Sequence, residues 1–295
     1  MATVAEWVEG ARLRTLPAAV APVLVGTAVA IHLGRGDAVR ALLAAVVALS
    51  LQLAVNFAND YSDGIRGTDD ERVGPMRLVG SGAATPRQVK VAAFACFGAA
   101  GIAGLALILL TEQWWLLPVG IVCMLAGWFY TGGDHPYGYA GLGELFVFIF
   151  FGLVATVGTT YVQTLTFPLQ ALAGGVATGA LASAILVTNN LRDRAGDEES
   201  GKRTLVVRLG DRGTRWFYVG LVAAGAGAAV AVAAGTTWWA LLGIAGLAVL
   251  VRPARSLLAG ADGPALIGVL KMTGIAEVLL ALGIFVGVLI GVWLS

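Results

Sequence analysis

The sequence predicts an all-α membrane protein: about nine transmembrane helices around a central cavity, arranged as two related halves. Three observations predict it. Of 295 residues, 58% are hydrophobic and 13% charged, with a mean hydropathy of +0.84. Soluble globular chains carry about 25% charged residues, and a single soluble core does not hide this much apolar surface. The apolar residues also run in blocks close to the roughly 20 needed to cross a hydrocarbon core of about 30 Å. Finally, charge is gathered: ten of the 18 acidic and twelve of the 19 basic residues fall in 60–90 and 191–215.

Taken in order, the apolar blocks are 16–33, 41–59, 89–110, 115–131, 141–161, 169–190, 216–235, 237–251 and 266–294. The eighth is the shortest. Small-residue runs such as 98–106 (GAAGIAGLA) suit close helix–helix approach in lipid. Orientation follows from Lys and Arg, which concentrate on the cytoplasmic side. With the N-terminus inside, seventeen basic residues face the cytoplasm, and only Arg35 and Arg40 face out. The expectation is one multi-pass domain, 1–295, in the cell membrane, with both charged loops cytoplasmic.

A net charge of +1 gives no field for nucleic acid, and no protein partner is predicted. Cys96 and Cys123 stand alone in apolar runs and read as packing residues. The first residues carry two acids and no small-residue cleavage site, so no signal peptide is expected.

The two charged loops hold similar patterns. Asn59-x₃-Asp63 ends the second apolar block, and Asn189-x₃-Asp193-x₃-Asp197 ends the sixth. Residues four apart share a helix face, so each set projects together, with Asp60 beside the first. Clustered carboxylates repel in a membrane's low dielectric, and a divalent cation removes that cost. Mg²⁺ binds through a few carboxylates and keeps places for water and phosphate oxygens. Two such clusters with interspersed Arg and Lys make a diphosphate cradle.

These segments resemble the two Asp-rich motifs of the UbiA-type intramembrane prenyltransferases. The likeness rests on NDYSDGIRGTD (59–69) with RVGP (72–75), on NNLRD-x₃-D-x₃-GK-x-TLVVRLG (189–210), and on YTGGDHPYGYAGLGELFVFIFFG (130–152). It is narrowest to the branch that prenylates 1,4-dihydroxy-2-naphthoate in menaquinone biosynthesis. The resemblance implies a UbiA-like fold, Mg²⁺ as cofactor, and a prenyl diphosphate and an aromatic acceptor as substrates. It further implies transfer to the naphthoate with loss of CO₂, giving demethylmenaquinone, while surrounding lipid takes up a long prenyl tail. By the motif match, Asp60, Asp63, Asp193 and Asp197 are the metal ligands. The family's third first-motif position is Gly67 here, so the shifted acid Asp69 joins the candidate ligands.

Asn59, Asn189, Arg66, Arg72 and Tyr130 are candidate substrate-binding residues. Lys202 and Arg203 are candidate cations for the departing pyrophosphate. Tyr137 and Tyr139 are candidate electron-rich walls for an allylic cation. Glu144, a carboxyl in an apolar run, is a candidate for orienting the acceptor, and Glu277 a weaker one. Asp70, Glu71, Glu198 and Glu199 read as solvated, and His32 and His135 as non-catalytic. Two alternatives stay open: the same chemistry on 4-hydroxybenzoate, homogentisate or a chlorin, and, from another class, a secondary transporter.

Overall fold

The computed structural model describes residues 2–67 and 76–295. Among these, all regular structure is helical: α1 Val4–Gly10, α2 Pro17–His32, α3 Ala38–Arg66, α4 Pro86–Thr111, α5 Leu116–Phe129, α6 Gly143–Thr164, α7 Leu169–Glu199, α8 Leu205–Gly235, α9 Trp238–Leu258 and α10 Ala265–Leu294. Local chemistry sets the boundaries. Thr85 and Gln88 form a capping box ahead of Pro86 at the first position of α4. Asp37 caps α3, accepting the Arg40 N–H at 2.9 Å. Gly67 ends α3 in the left-handed region (φ 71°), where a side chain would be strained. A π-turn interrupts α6 over Phe148–Val154, and Gly210 (φ 67°) kinks α8.

The span count differs from nine. Among the described residues, seven helices are long and apolar enough to cross a membrane, or eight if the bent pair Val4–Thr15 and Pro17–His32, at 51°, forms one span. The block expected at 115–131 folds as a 14-residue helix, α5, which falls short on length alone. The segments on either side of it meet α3 far apart: Arg40 donates to the Leu110 carbonyl (3.3 Å) in the last turn of α4, and the Thr131 hydroxyl, just past α5, donates to Asn59 (2.7 Å).

The centre of the molecule is α7, whose apolar window is 78% buried against 17–39% in the other long spans. Close approach makes this possible. A Cβ on Gly152 of α6 would come 2.5 Å from the Gly175 carbonyl of α7, so only glycine fits. On the far side, α2, α8 and α10 pack around Val25, Leu181, Val232 and Ile284, all fully buried. Helices α3 and α7 continue past their expected apolar ends, to Arg66 and Glu199. Asn59, Asp60, Asp63, Asn189, Asp193 and Asp197 therefore lie on helical turns rather than in loops.

Candidate active site

Side chains from three distant stretches meet at one end of the bundle. Asp63, 5% exposed on the last turns of α3, receives the Tyr139 hydroxyl and lies 3.4 Å from Arg77. The Lys202 ammonium stands 3.7 Å from Asp63 and 3.8 Å from Asp197 of α7. The same ammonium lies 4.5 Å above the Tyr139 ring, a cation–π contact. Lys202 thus joins the two acidic helix ends. The Lys202 N–H caps the Asp197 carbonyl (2.8 Å), and the Arg203 N–H holds the Tyr139 carbonyl (2.9 Å), so the short 200–204 connection is fixed in place. Burial, then the Asp63 charge, pushes the Tyr139 phenol well above its usual range, keeping it a proton donor.

The expected residues divide by position. Asn59 accepts from Thr131, and Arg66 donates to the carbonyls of Thr131 and Gly133. Asp193 forms a two-point pair with Arg192 (2.7 and 2.8 Å), and Arg192 also reaches Asn189 (3.0 Å). Tyr137 donates to the Ala126 carbonyl (2.7 Å) and stacks on Phe146 at 4.1 Å. Tyr130 meets Tyr137 edge-on at 5.5 Å. Glu144 is 3% exposed and accepts from Asn190 at 2.9 Å.

Three calls change. Asp60 is wholly buried, and its two oxygens accept the backbone N–H groups of Leu78 (2.8 Å) and Val79 (3.0 Å); it anchors the segment after α3 instead of facing α7. The Arg203 side chain is exposed, and its contribution here is through its backbone. Glu277 is fully buried in α10 outside the cavity described next, and neither oxygen has a hydrogen-bond donor among the described residues. Asp69 and Arg72, with Asp70 and Glu71, lie outside the described residues.

Sequence reasoning missed Arg77, Arg192 and Asn190. The signal for the last two was present, since both lie inside the NNLRD run. Arg77, 8% exposed, stands two residues past RVGP.

Below these charges opens a cavity of about 730 Å³. Asn59, Arg77, Asn189 and Arg192 line its polar end, Tyr130, Tyr137, Phe146 and Phe150 its upper wall, and Ala44, Leu107 and Val162 its far end. From Ala44 to Asn59 is fifteen residues of α3, about 22 Å at 1.5 Å per residue. Among the described residues no three acidic, His or Cys side chains form a ready metal cluster. The Asp63–Asp197 pair, brought together on one cation, still suits an ion that needs one or two carboxylates and takes its other ligands from phosphate and water.

The family model for the UbiA prenyltransferase family matches residues 19–272. The chain belongs to that family. It is 51% identical to the 1,4-dihydroxy-2-naphthoate octaprenyltransferase of Mycobacterium tuberculosis over 284 residues, covering 96% of this chain and 97% of that one. It is 35% identical to the Escherichia coli enzyme of the same name, over 97% and 96% of the two chains. Among solved structures, a UbiA homolog from Aeropyrum pernix K1 superposes with a TM-score of 0.72 at 15% identity, over 97% of this chain and 99% of that one. A UbiA homolog from Archaeoglobus fulgidus bound to GPP and Mg²⁺ gives 0.64 at 14%, over 96% and 99%. At such identity these two structures establish the UbiA fold. The membrane-spanning character of the chain agrees with the seven long apolar helices among the described residues.

Proposed function

We propose that this chain transfers a prenyl group from a prenyl diphosphate to 1,4-dihydroxy-2-naphthoate with loss of CO₂, giving the prenylated diol, the reduced form of demethylmenaquinone, and that it does so with Mg²⁺ in the cell membrane. One observation carries the reading: Lys202 draws Asp63 and Asp197 together beside Arg77, which with Asn59 and Asn189 lines the polar end of a largely apolar cavity. The naphthoate acceptor is supported by the names of the 51% and 35% identical relatives.

Asp63 and Asp197, with Asp193 a turn away, would hold the metal. When bound there, Mg²⁺ supplies Lewis-acid stabilisation of charge on the pyrophosphate. Lys202 adds a fixed positive charge at the same point, in a site where dipoles and charges are already oriented. Arg66 and Arg192, on the adjoining helix turns, extend the positive rim. The allylic carbon–oxygen bond breaks with its electron pair leaving on pyrophosphate. The allylic carbon then bonds to the electron-rich ring carbon that carries the carboxylate, and CO₂ departs in place of a proton. Tyr130, Tyr137, Phe146 and Phe150 surround this step with aromatic faces and little water. Glu144, held by Asn190, is the residue we assign to orienting the acceptor, and Asn59 and Asn189 line the donor's path. We read residues 1–295 as one transmembrane domain with the N-terminus and the acidic helix ends on the cytoplasmic side.

Product analysis by mass spectrometry tests the reading. Detergent-solubilised protein with Mg²⁺, a prenyl diphosphate and dihydroxynaphthoate should yield the prenylated, decarboxylated product, and far less with 4-hydroxybenzoate or homogentisate. Chelation should stop it and Mg²⁺ restore it. Turnover in Asp63→Asn or Asp193→Asn should fall by about 10² or more with membrane expression intact; near-normal rates in either would remove the metal assignment. Because no vesicle is present, product formation also excludes a transporter.

A further inference from the structure

At the acidic end of the bundle Arg66 is held by the Thr131 and Gly133 carbonyls, Arg77 and Lys202 by Asp63, and Arg192 by Asp193. Two cations from distant parts of the chain stand differently. Arg14, in the Leu13–Thr15 turn before α2, and Lys271, in the second turn of α10, are both exposed, and among the described residues neither side chain has an acidic partner or a hydrogen bond. The fold brings them to one seam. A Cβ on Gly274, one turn past Lys271, would lie 3.3 Å from the Arg14 carbonyl and 3.2 Å from Pro17. Lys271 therefore leaves α10 about 5 Å along the axis from its contact with the Arg14 backbone. The turn that carries Arg14 is braced from behind. Gln52 and Asn56 of α3 each donate to the Thr15 hydroxyl at 3.0 Å, and Asn56 holds the Ala11 carbonyl at 2.9 Å.

Beyond Lys271 the same side of α10 is apolar. Ile275, Leu279, Leu282 and Val286 follow it at helical spacing and are 36–45% exposed, while Ala281 and Ile284 on the other side are fully buried. From α10 the cavity lining takes only Ile267 and Leu270, so the stripe faces the outside of the bundle. Along such a stripe the medium is lipid, and a lysine at its end extends its ammonium toward the headgroups. Two like charges at one seam repel, and the acids nearest in sequence are committed elsewhere. Glu9 takes the Met76 N–H at 3.3 Å, and Glu277 is fully buried. An anion placed between the two cations removes the repulsion. At this depth a phospholipid supplies both the phosphate for the cations and an acyl chain for the stripe. We infer that Arg14 and Lys271 form a binding site for the phosphate of an anionic phospholipid whose acyl chain lies along Ile275, Leu279 and Leu282. The lipid ties α10 to the 12–15 turn, whose residues border the cavity, and so steadies that rim from outside the bundle. The site goes beyond the prenyltransferase reading and stands without it.

Thermal denaturation of the full chain in a neutral detergent tests the site. Phosphatidylglycerol should raise the melting temperature by about 2 °C or more over the same amount of phosphatidylcholine. The double variant Arg14→Gln, Lys271→Gln should lose that difference, while its melting temperature in detergent alone stays within about 1 °C of the parent. Lys271→Gln alone, which leaves the braced turn untouched, should lose half of the difference or more, so the test survives if the double variant folds poorly. Arg252→Gln, Arg255→Gln removes two exposed cations near the end of α9 and should keep the full difference. Native mass spectrometry gives a second reading: phosphatidylglycerol adducts should persist on the parent and on the α9 variant, and drop out for the Arg14, Lys271 variant. Four results overturn the proposal. They are no difference between the two lipids in the parent, an undiminished difference in the Arg14, Lys271 variant, an equal loss in the α9 variant, which would mean attraction to positive charge in general, and equal stabilisation by inorganic phosphate at the same concentration, which would mean a soluble anion.

Discussion

Asp60 and Asp63 sit three positions apart on the same helix, and their surroundings give them different tasks. Asp60 spends both oxygens on the Leu78 and Val79 N–H groups, whereas Asp63 faces Tyr139, Arg77 and Lys202. Asp60→Asn leaves a buried backbone donor poorly matched, a cost of about 1–3 kcal/mol, so the melting temperature in detergent should drop. Turnover per folded molecule should change far less than in Asp197→Asn, where the reverse split is expected. A normal melting temperature with lost turnover would return Asp60 to the metal site. Tyr139 offers a pH test. Its phenol is raised by burial and the Asp63 charge, so it stays protonated through pH 7 to 10 and donates throughout. Tyr139→Phe should therefore lower the rate by a similar factor at both ends of that range; a loss seen only at the acid end would show that the phenol titrates normally. At this scale the spacing of Asn59, Asp63, Asn189, Asp193 and Asp197 was readable from the four-residue helix repeat. The anchoring of Asp60 was not, because its partners are backbone groups of a segment that returns from eighteen residues on.

At the scale of elements, hydropathy marks where lipid begins and ends, and it under-reads any helix that leaves the lipid while remaining helical. The apolar signal of α3 stops near Asn59, yet the helix runs to Arg66 because its last turns pack against the 130–139 and 76–79 segments. The same holds for α7 to Glu199. Conversely α5 was read as a full span from composition, and Gln113 and Trp115 are drawn into the turn before it through hydrogen bonds to Tyr161. Glycine content foretold close packing without saying which glycines matter. Gly283 and Gly287 of α10 are two that do: a Cβ on the first would lie 2.5 Å from Gly243 of α9, and on the second 2.2 Å from the Trp239 carbonyl. Backbone cannot yield as a side chain does, so Gly283→Leu should destabilise by at least the 1–3 kcal/mol typical of overpacking. A drop of several degrees in thermal denaturation in detergent is expected, with Gly98→Ala, facing open space, as a silent comparison. Equal melting points would mean that α9 and α10 are not pressed together there.

For the whole molecule, the distribution of charge ties chemistry to topology. The end that holds Asp63, Asp197 and Lys202 also holds Arg66, Arg77 and Arg192, while the other end is tied by one basic side chain: Arg40 pairs with Asp37 at 3.5 Å and donates to the Val162 carbonyl at 3.1 Å. Basic residues resist translocation, so we propose that the rich end is the cytoplasmic one, where a water-soluble diphosphate would be released. Single cysteines in a Cys96→Ser, Cys123→Ser chain test this with a membrane-impermeant thiol reagent. Ser200→Cys, exposed just past α7, should label only in inside-out vesicles, and Arg35→Cys, exposed after α2, only in intact cells. Labelling in the opposite sense would invert the molecule and put the active end outside. Arg40 adds an internal check on the separation of the two ends. Arg40→Ala removes hydrogen bonds that pin α3 to α4 and α6, so it should lower thermal stability while leaving the rate per folded molecule near the parent value. A rate loss of tenfold or more without a stability loss would mean that the far end of the bundle takes part in the chemistry.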